Sequence, residues 1–527
     1  MARLTEYTTY ADAQRNFTSE KLWELFDGDR DRLNLAHECI DRHALDDERV
    51  AVRVVRADGN DDILTFRAIA DTSSRFAHWL EAEGIGLGDR VAVMLEPSLA
   101  FYAAVFGAIK RGAVAVPLFT LFGPEGVRLR VDDCRPVLLI TNEEKWETTT
   151  GLAGLRVCRD TEVLADLARY PADYKIDTAA SDLAAFQYTS GTTRALPEAV
   201  KHSHRAVVVV TNAALYATGV RPGDRFFCPS SPAWGHGMWH GTFAPLAMGV
   251  ETGTFAGKFS PERMLEVLER YKITNLSAAA THYRMMMNCN AAGRHRYTIE
   301  KLSFTGEPLD SETAEFTSRL FGAPVCSIYG TTEIGVILAA YPGAADFVPK
   351  PGSLGKPVPG AEVGVVRTDG SSCDPDEVGE IKVRRRGGWI ATRDRGWVDG
   401  DGYFFHAGRA DDVIISAGYT IGAVEVEDVL LQHPDVQEAA VIGVPDDLRG
   451  HVVKAFLVSR RESDPEFVGE IQEFVRTRLS AHEYPRMVAV VASLPKTPAG
   501  KVNRQMLRDQ EAVATEGRPS NGIDGNE

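Results

Sequence analysis

Residues 90–119, RVAVMLEPSLAFYAAVFGAIKRGAVAVPLF, set the class of the fold. RVAVML is a short uninterrupted apolar run rich in valine, which reads as a strand buried on both faces. SLAFYAAVFGAIKRG is long enough for a helix, and AVAVPLF reads as a second buried strand. Strand, helix and strand in that order form the unit of a parallel sheet covered by helices, so the chain is α/β. Just upstream, Phe66, Ile69, Ala70, Phe76, Ala77 and Leu80 repeat at helical spacing, and Gly84 follows as the expected stop.

The same alternation runs from Ser181 to about Tyr329. SLGKPVPGAEVGVV (353–366) and GEIKVRR (379–385) are then short β-rich runs between Gly and Pro turns, read as a small barrel or sheet extension. From Asp411 the pattern restarts: DVIISAG, a helix around EVEDVLLQHP, the strands EAAVIGVP and HVVKAFLVS, and the helix PEFVGEIQEFVRTRL. Residues 411–508 therefore read as a separate small domain after an N-terminal domain of residues 1–410. The stretch 509–527, polar and poor in apolar residues, reads as a disordered tail.

A chain of 527 residues, 44% hydrophobic and 25% charged, has the composition of a multi-domain globular protein, so disordered and fibrous classes are excluded for most of it. Basic residues number 58 and acidic residues 74, a net charge of −16, with no basic block that could follow a phosphate backbone, so nucleic acid is not an expected partner. The start lacks an apolar signal core and no stretch approaches the length of a membrane helix, so the expected location is the cytoplasm, without membrane insertion. The seven cysteines show no CxxC pairing, so reduced thiols are expected. Nothing in the chain speaks against a homodimer.

The run most suggestive of chemistry is Tyr188-Thr189-Ser190-Gly191-Thr192-Thr193. Backbone N–H groups and small hydroxyls can surround phosphoryl oxygens, and glycine allows the backbone to come close. By itself such a cluster is more often an ordinary loop. Here it is followed, in order, by FTGEPLD (304–310), IYGTTEIG (328–335), WVDGDGYFFHAGRADDVIISAGY (397–419) and LPKTPAGK (494–501). With these blocks in place the chain, over residues 30 to 508, resembles the AMP-forming adenylating superfamily of acyl-CoA synthetases, peptide-synthetase adenylation domains and luciferases. Medium-chain and acetate-type acyl-CoA synthetases look closest.

The resemblance implies a large N-terminal domain of two helix-covered sheets plus a small β-barrel, and a small mobile α+β C-terminal domain hinged at Asp411. It implies ATP and Mg²⁺, with CoA as co-substrate, and two steps: an acid oxygen displaces pyrophosphate to give an acyl adenylate, then a nucleophile displaces AMP. Thr189, Ser190, Gly191, Thr192 and Thr193 would hold phosphates, and Gly306, Glu307 and Pro308 would line the nucleotide. Tyr329, flanked by Gly330 and Thr331, would stack on adenine. Thr332 would contact the α-phosphate, and Glu333 with Thr192 would hold Mg²⁺. Asp394 and Arg409 would bind the ribose hydroxyls. Lys501 would reach the acid carboxylate and the α-phosphate, where negative charge develops.

The acid pocket would involve Trp234, Gly235, His236, Gly237, Trp239 and Gly330. Acetate-specific relatives carry Trp where Gly330 stands, which implies an acid larger than acetate. His236 and His240, downstream of Cys228, could be imagined as a metal site, but the Trp-rich setting favours an aromatic wall. Gly418 would keep the thiol tunnel open, and Arg476 would contact a CoA phosphate.

Two departures from the family pattern stand out. The phosphate loop continues as Arg194-Ala195-Leu196-Pro197-Glu198-Ala199, placing Glu198 where a lysine is usual, with Arg194 or Lys201 as substitutes. Ala417 and Thr420 replace the usual serine and arginine of the hinge-following strand. The expected function is therefore acyl-CoA synthesis from a medium-chain, branched or aromatic acid. The alternative is transfer of an acid, or of nitrite as in a diazotase, to an amine, and a third reading is a non-catalytic binder that kept the fold.

Overall fold

The computed structural model describes residues 2–152, 154–188, 198–306, 309–331, 334–385, 387–409, 413–416, 419–446, 450–479, 484–497 and 501–516. They divide into two compact units: the described residues up to Val363 together with Gly402–Phe404, and Gly364–Asp401 together with those from Phe405 onward. No helix among the described residues is long and apolar enough to cross a membrane.

The stretch quoted first folds as read. Strands Arg90–Met94 and Val114–Pro117 pair in parallel, joined by helix Leu99–Arg111. Ser98 starts that helix by accepting from the Phe101 N–H at 3.2 Å, and Gly112 ends it at φ +82°, a left-handed conformation that glycine adopts without strain. Strand order in this sheet is 156–159, 138–141, 90–94, 114–117, 183–187, 200–203, parallel except for the last pair. The other sheet of the first unit runs 353–357, 335–339, 325–331, 301–305, 275–279, 225–227, 251–256, 50–56, 62–65. Phe227, Phe255, Leu268, Leu276 and Leu302 belong to one fully buried cluster against it.

Helix Leu99–Arg111 hides one residue that apolar periodicity does not foresee. Lys110 is 1% exposed, with its Nζ 2.6 Å from Asp41 Oδ1 and donating to the Ala70 carbonyl and Ser74 Oγ, each at 2.9 Å. A charge taken out of water is tolerated when it is paired and every N–H has an acceptor, as here. Lys110→Ala leaves Asp41 without its cation and opens a cavity. It is expected to cost about 3 kcal/mol in chemical denaturation, and Lys110→Met, which refills the volume, less. Equal stability of Lys110→Ala and the wild type would show that the pair contributes nothing.

In the second unit, strands 363–366, 379–385, 388–398 and 404–409 follow one another in an open row. The sequence reading expects a small barrel or a sheet extension here; among the described residues the strands form an open row and no closed barrel. The rest of this unit has strand order 419–422, 413–416, 450–459, 436–446, with 487–490 parallel to 450–459. Phe467, Ile471 and Val475 of helix Pro465–Arg478 pack on Val441, Ala455 and Leu457. Helix Arg504–Glu516 continues past residue 508, where the sequence reading begins the tail. It is held by Leu507, 2% exposed, and by Glu511, 2.6 Å from Lys454 Nζ. Residues 517–527 lie outside the described ones.

Candidate active site

Strand Arg225–Phe227 pairs with Glu251–Ala256 on one side and Asn275–Ala279 on the other, both parallel. The chain leaves the carboxyl end of the first strand, forms one neighbour and then crosses to form the opposite one. Crossovers that diverge in this way leave a crevice beyond the strand's carboxyl end, the usual ligand position in α/β sheets. Asn275–Ala279, Lys301–Thr305 and Val325–Thr331 continue the parallel set. The register Phe304↔Ser327 carries Gly306 alongside Tyr329, and Thr305 Oγ1 donates to the Ile328 carbonyl at 3.1 Å. Two expected nucleotide positions, Gly306 and Tyr329 with its neighbours Gly330 and Thr331, are thus brought to one edge of the crevice.

The other wall begins where strand Arg225–Phe227 ends. From Cys228 the chain enters a π-helical segment, His236–Phe243, a wide form that recurs at functional sites. Trp239 Nε1–H donates to Gln187 Oε1 at 2.6 Å, and the His202 ring lies 4.5 Å from the Trp239 ring. Gln187 is the last residue of strand Leu183–Gln187, so this bond ties the π-helical segment to the end of that strand. Two glycines permit the approach. A Cβ on Gly235 would strike Gln187 Nε2, and one on Gly237 would strike the carbonyl oxygens of Ser230 and Ser231.

His236 is fully engaged, its Nδ1 3.0 Å from Ser230 Oγ and its Nε2 2.9 Å from Ser277 Oγ. The neighbouring Cys228 Sγ is 3.7 Å from Nδ1, and the His240 ring is 6.0 Å away. No group of three His, Cys, Asp or Glu side chains among the described residues is placed to hold a metal ion. Burial lowers His202, His240 and His282 to about 4, and burial followed by the nearby His240 and His282 puts His236 well below its ordinary value. At neutral pH this wall is therefore uncharged and aromatic, with Trp234 half-buried at its rim.

Gly330 has a reason of its own. A Cβ there would strike the Gly335 carbonyl and Val336 Cα across the hairpin of strands 325–331 and 335–339, whose register shifts at Tyr329 and Gly330. That close approach favours glycine here independently of the size of the acid.

Other expected residues stand apart or lie outside the described ones. Thr189, Ser190, Gly191, Thr192, Thr193, Arg194, Glu307, Pro308, Thr332, Glu333, Asp411, Ala417 and Gly418 are outside them. Glu198 is exposed, and Lys201 Nζ sits 5.6 Å over the Phe186 ring. In the second unit, Asp394 is 6% exposed on strand Gly388–Val398, with His406 Nε2 3.8 Å from its Oδ1. Arg409 ends the neighbouring strand Phe404–Arg409, and Thr420 lies on strand Tyr419–Gly422. The Lys501 carbonyl accepts from the Thr497 N–H at 2.7 Å. Three residues on, Arg504 binds Glu427, which also accepts from the Val441 N–H at 2.7 Å, so the chain just after Lys501 is fixed to the core. Arg476 makes a two-point ion pair with Glu473, at 2.8 and 3.0 Å, that a phosphate would have to displace.

Sequence reasoning does not single out Gln187, His202, Ser230 or Ser277 as wall residues. A signal for two of them is present: Gln187 and Ser277 are polar residues in otherwise apolar buried strands, and such groups need a partner.

A family model described as AMP-binding enzyme matches residues 38–390, and one described as AMP-binding enzyme C-terminal domain matches residues 425–501. The chain is 30% identical over 522 residues to acetyl-coenzyme A synthetase of Bacillus subtilis (strain 168), covering 91% of each. It is 29% identical to the mitochondrial acyl-coenzyme A synthetase ACSM3 of Mus musculus, covering 87% of this chain and 86% of that one. Among solved structures, an anthranilate CoA ligase in complex with anthranoyl-AMP matches with a TM-score of 0.83 at 25% identity, covering 95% of this chain and 100% of that one. An acyl-CoA synthetase of Brucella canis matches with a TM-score of 0.75 at 32% identity, covering 96% and 99%.

Proposed function

We propose, for a chain that belongs to the AMP-binding enzyme family and is an acid-activating AMP-forming ligase, that it joins a medium-chain, branched or aromatic carboxylic acid to CoA. The observation that carries the acid class is the uncharged wall of Trp239, His202 and Gln187 at the strand-reversal crevice. Such a wall offers an acyl chain apolar and aromatic contact, and offers a second carboxylate no cation.

In the first step a carboxylate oxygen of the acid attacks the α-phosphorus of ATP, and the bond to pyrophosphate breaks. In the second, the CoA sulfur attacks the acyl carbon, the acyl–oxygen bond breaks, and AMP leaves. Tyr329 and Gly306 take the adenine edge, Asp394 and Arg409 the ribose, and Thr189–Thr193 the phosphates. Thr332 and Glu333 act at the α-phosphate, with Thr192 and Glu333 as the residues that would hold Mg²⁺, which neutralises phosphate charge when bound. Lys501 pairs with the charge developing between acid and phosphate. Gly418 and Arg476 serve the CoA step. The reading includes a cytoplasmic location. The amine-acceptor alternative is not favoured.

The test is incubation with ATP, Mg²⁺ and pooled carboxylic acids, with CoA or an aryl amine as acceptor, followed by mass spectrometry. A CoA thioester with matching AMP is the expected result. A product that forms equally without CoA would overturn the reading.

A further inference from the structure

Three neighbouring strands of the first unit, 275–279, 225–227 and 251–256, have their carboxyl ends at the crevice. Beyond Arg225–Phe227 the chain carries His240 in the π-helical segment, beyond Glu251–Ala256 it carries Phe259, and beyond Asn275–Ala279 it carries His282 in helix Ala280–Met287. The His282 ring lies 4.5 Å from the Phe259 ring, and the His240 ring 6.0 Å from that of His236. His240 and His282 both act on His236 and lower it further, which places the two rings on one wall.

These two rings differ from His236 in what their nitrogens meet. His236 has a serine hydroxyl at each nitrogen. His282 Nδ1 accepts from the Ala279 N–H at 3.3 Å, so the neutral ring carries its proton on Nε2. His240 Nδ1 is enclosed with no hydrogen-bond partner among the described residues. A proton there would be a buried, unsatisfied N–H, so this ring too carries its proton on Nε2. Neither Nε2 has a hydrogen-bond partner among the described residues, and neither is enclosed. Both side chains are half-buried, as groups facing a recess are. Burial is the sole cause of their lowered pKa, so at neutral pH both are uncharged donors and not cations. The crevice wall thus holds out two N–H groups, one of them beside a phenyl ring.

We infer that the acid bears an oxygen on its hydrocarbon part, a hydroxyl, alkoxy or keto group that accepts from the Nε2–H of His240 or His282, so that these two histidines set substrate choice. This rests on the reading that the crevice holds a medium-chain, branched or aromatic acid. The acid's own carboxylate is needed at the α-phosphorus, which leaves these donors to the rest of the molecule. A plain hydrocarbon filling the crevice strips water from both N–H groups and puts nothing in its place, whereas an oxygen replaces the water it displaces. A second carboxylate would meet no cation to offset its burial, and an ammonium group has no lone pair to offer a donor.

The experiment measures AMP formation by the full chain with ATP, Mg²⁺ and CoA, as kcat/KM on matched acids: benzoate against its meta- and para-hydroxy derivatives, and hexanoate against its ω-hydroxy and keto derivatives. The wild type is expected to prefer the oxygenated member of at least one pair by about tenfold or more, the scale of leaving a dehydrated donor unpaired. His240→Leu or His282→Asn is expected to abolish that preference by slowing the oxygenated acid alone. Asparagine at 282 keeps an acceptor for the Ala279 N–H while withdrawing the outward donor. His240→Gln, whose amide N–H can stand in for Nε2–H, is expected to retain the preference wherever His240→Leu removes it. Equal or faster turnover of the plain acid in every pair by the wild type would overturn the inference, a result that needs no variant to fold. Equal slowing of both members by both variants would overturn it too, since the rings would then serve the carboxylate or the fold. AMP from neither member of any pair would overturn the acid class and this inference together, a pattern distinct from equal rates.

Discussion

Lys501→Ala is expected to slow acid-dependent pyrophosphate release by about a thousandfold, the scale of removing one preorganised group from a developing charge. As an oxygen of the acid closes on the α-phosphorus, negative charge concentrates between carboxylate and phosphate. An ammonium held there lowers that barrier more than it strengthens ground-state binding, so the loss should appear in kcat more than in the KM for ATP. Folding should change little. The main-chain role of Lys501, accepting from Thr497, survives in alanine, and Arg504 with Glu427 still fixes the chain just after it to the core. The decisive comparison is the second half-reaction. Given a chemically prepared acyl adenylate of the acid found in the product assay, the variant should form thioester at close to the wild-type rate. Lys501→Arg should recover little, because a planar guanidinium fork does not occupy the place of a compact ammonium. Normal pyrophosphate release by Lys501→Ala would remove this lysine from the mechanism.

How far such a site is legible before folding depends on what each residue does. Elements with strong periodicity and clear ends are legible: Ser98 and Gly112 bound helix Leu99–Arg111 much as the sequence reads it. The glycine and hydroxyl blocks stand out in the sequence because backbone N–H groups and small hydroxyls in that pattern suit phosphate. Residues that act across long sequence distances are not. Gln187 meets Trp239, His236 meets Ser277, and Asp133 meets Tyr188 and Ala199, and none of these pairings has a local spacing to betray it. Lys110 is the extreme case, since a lysine in an apolar helix face reads as an exposed interruption until Asp41 and the Ala70 carbonyl are found around it. Gly330 teaches the reverse lesson. A family comparison assigns it to pocket size, and the packing of its own hairpin independently favours a glycine.

The first unit is expected to lose stability steeply between pH 6.5 and 5, above the range in which most carboxylates titrate. Burial holds His43, His202, His204, His240 and His282 at about 4 against an ordinary value of 6.5, with Arg42 adding to the effect at His43. Each is neutral in the folded chain and takes a proton on unfolding once the pH falls below 6.5. The unfolded state then binds more protons, so stability rises with pH across this window, is complete above 6.5, and is lost as pH falls toward 4. Between pH 6.5 and 5 each such group removes at most about 2 kcal/mol. Several together approach the whole stability of a typical domain, about 5–15 kcal/mol. His240 is the cleanest probe, since its Nδ1 is buried with no hydrogen-bond partner among the described residues. His240→Leu should therefore reduce the pH dependence of unfolding by close to one proton in this window, measured from urea midpoints at pH 7, 6 and 5. A wild-type midpoint that stays flat from pH 7 to 5 would mean that these imidazoles are not held neutral, and the uncharged acid wall inferred from them would fall with it.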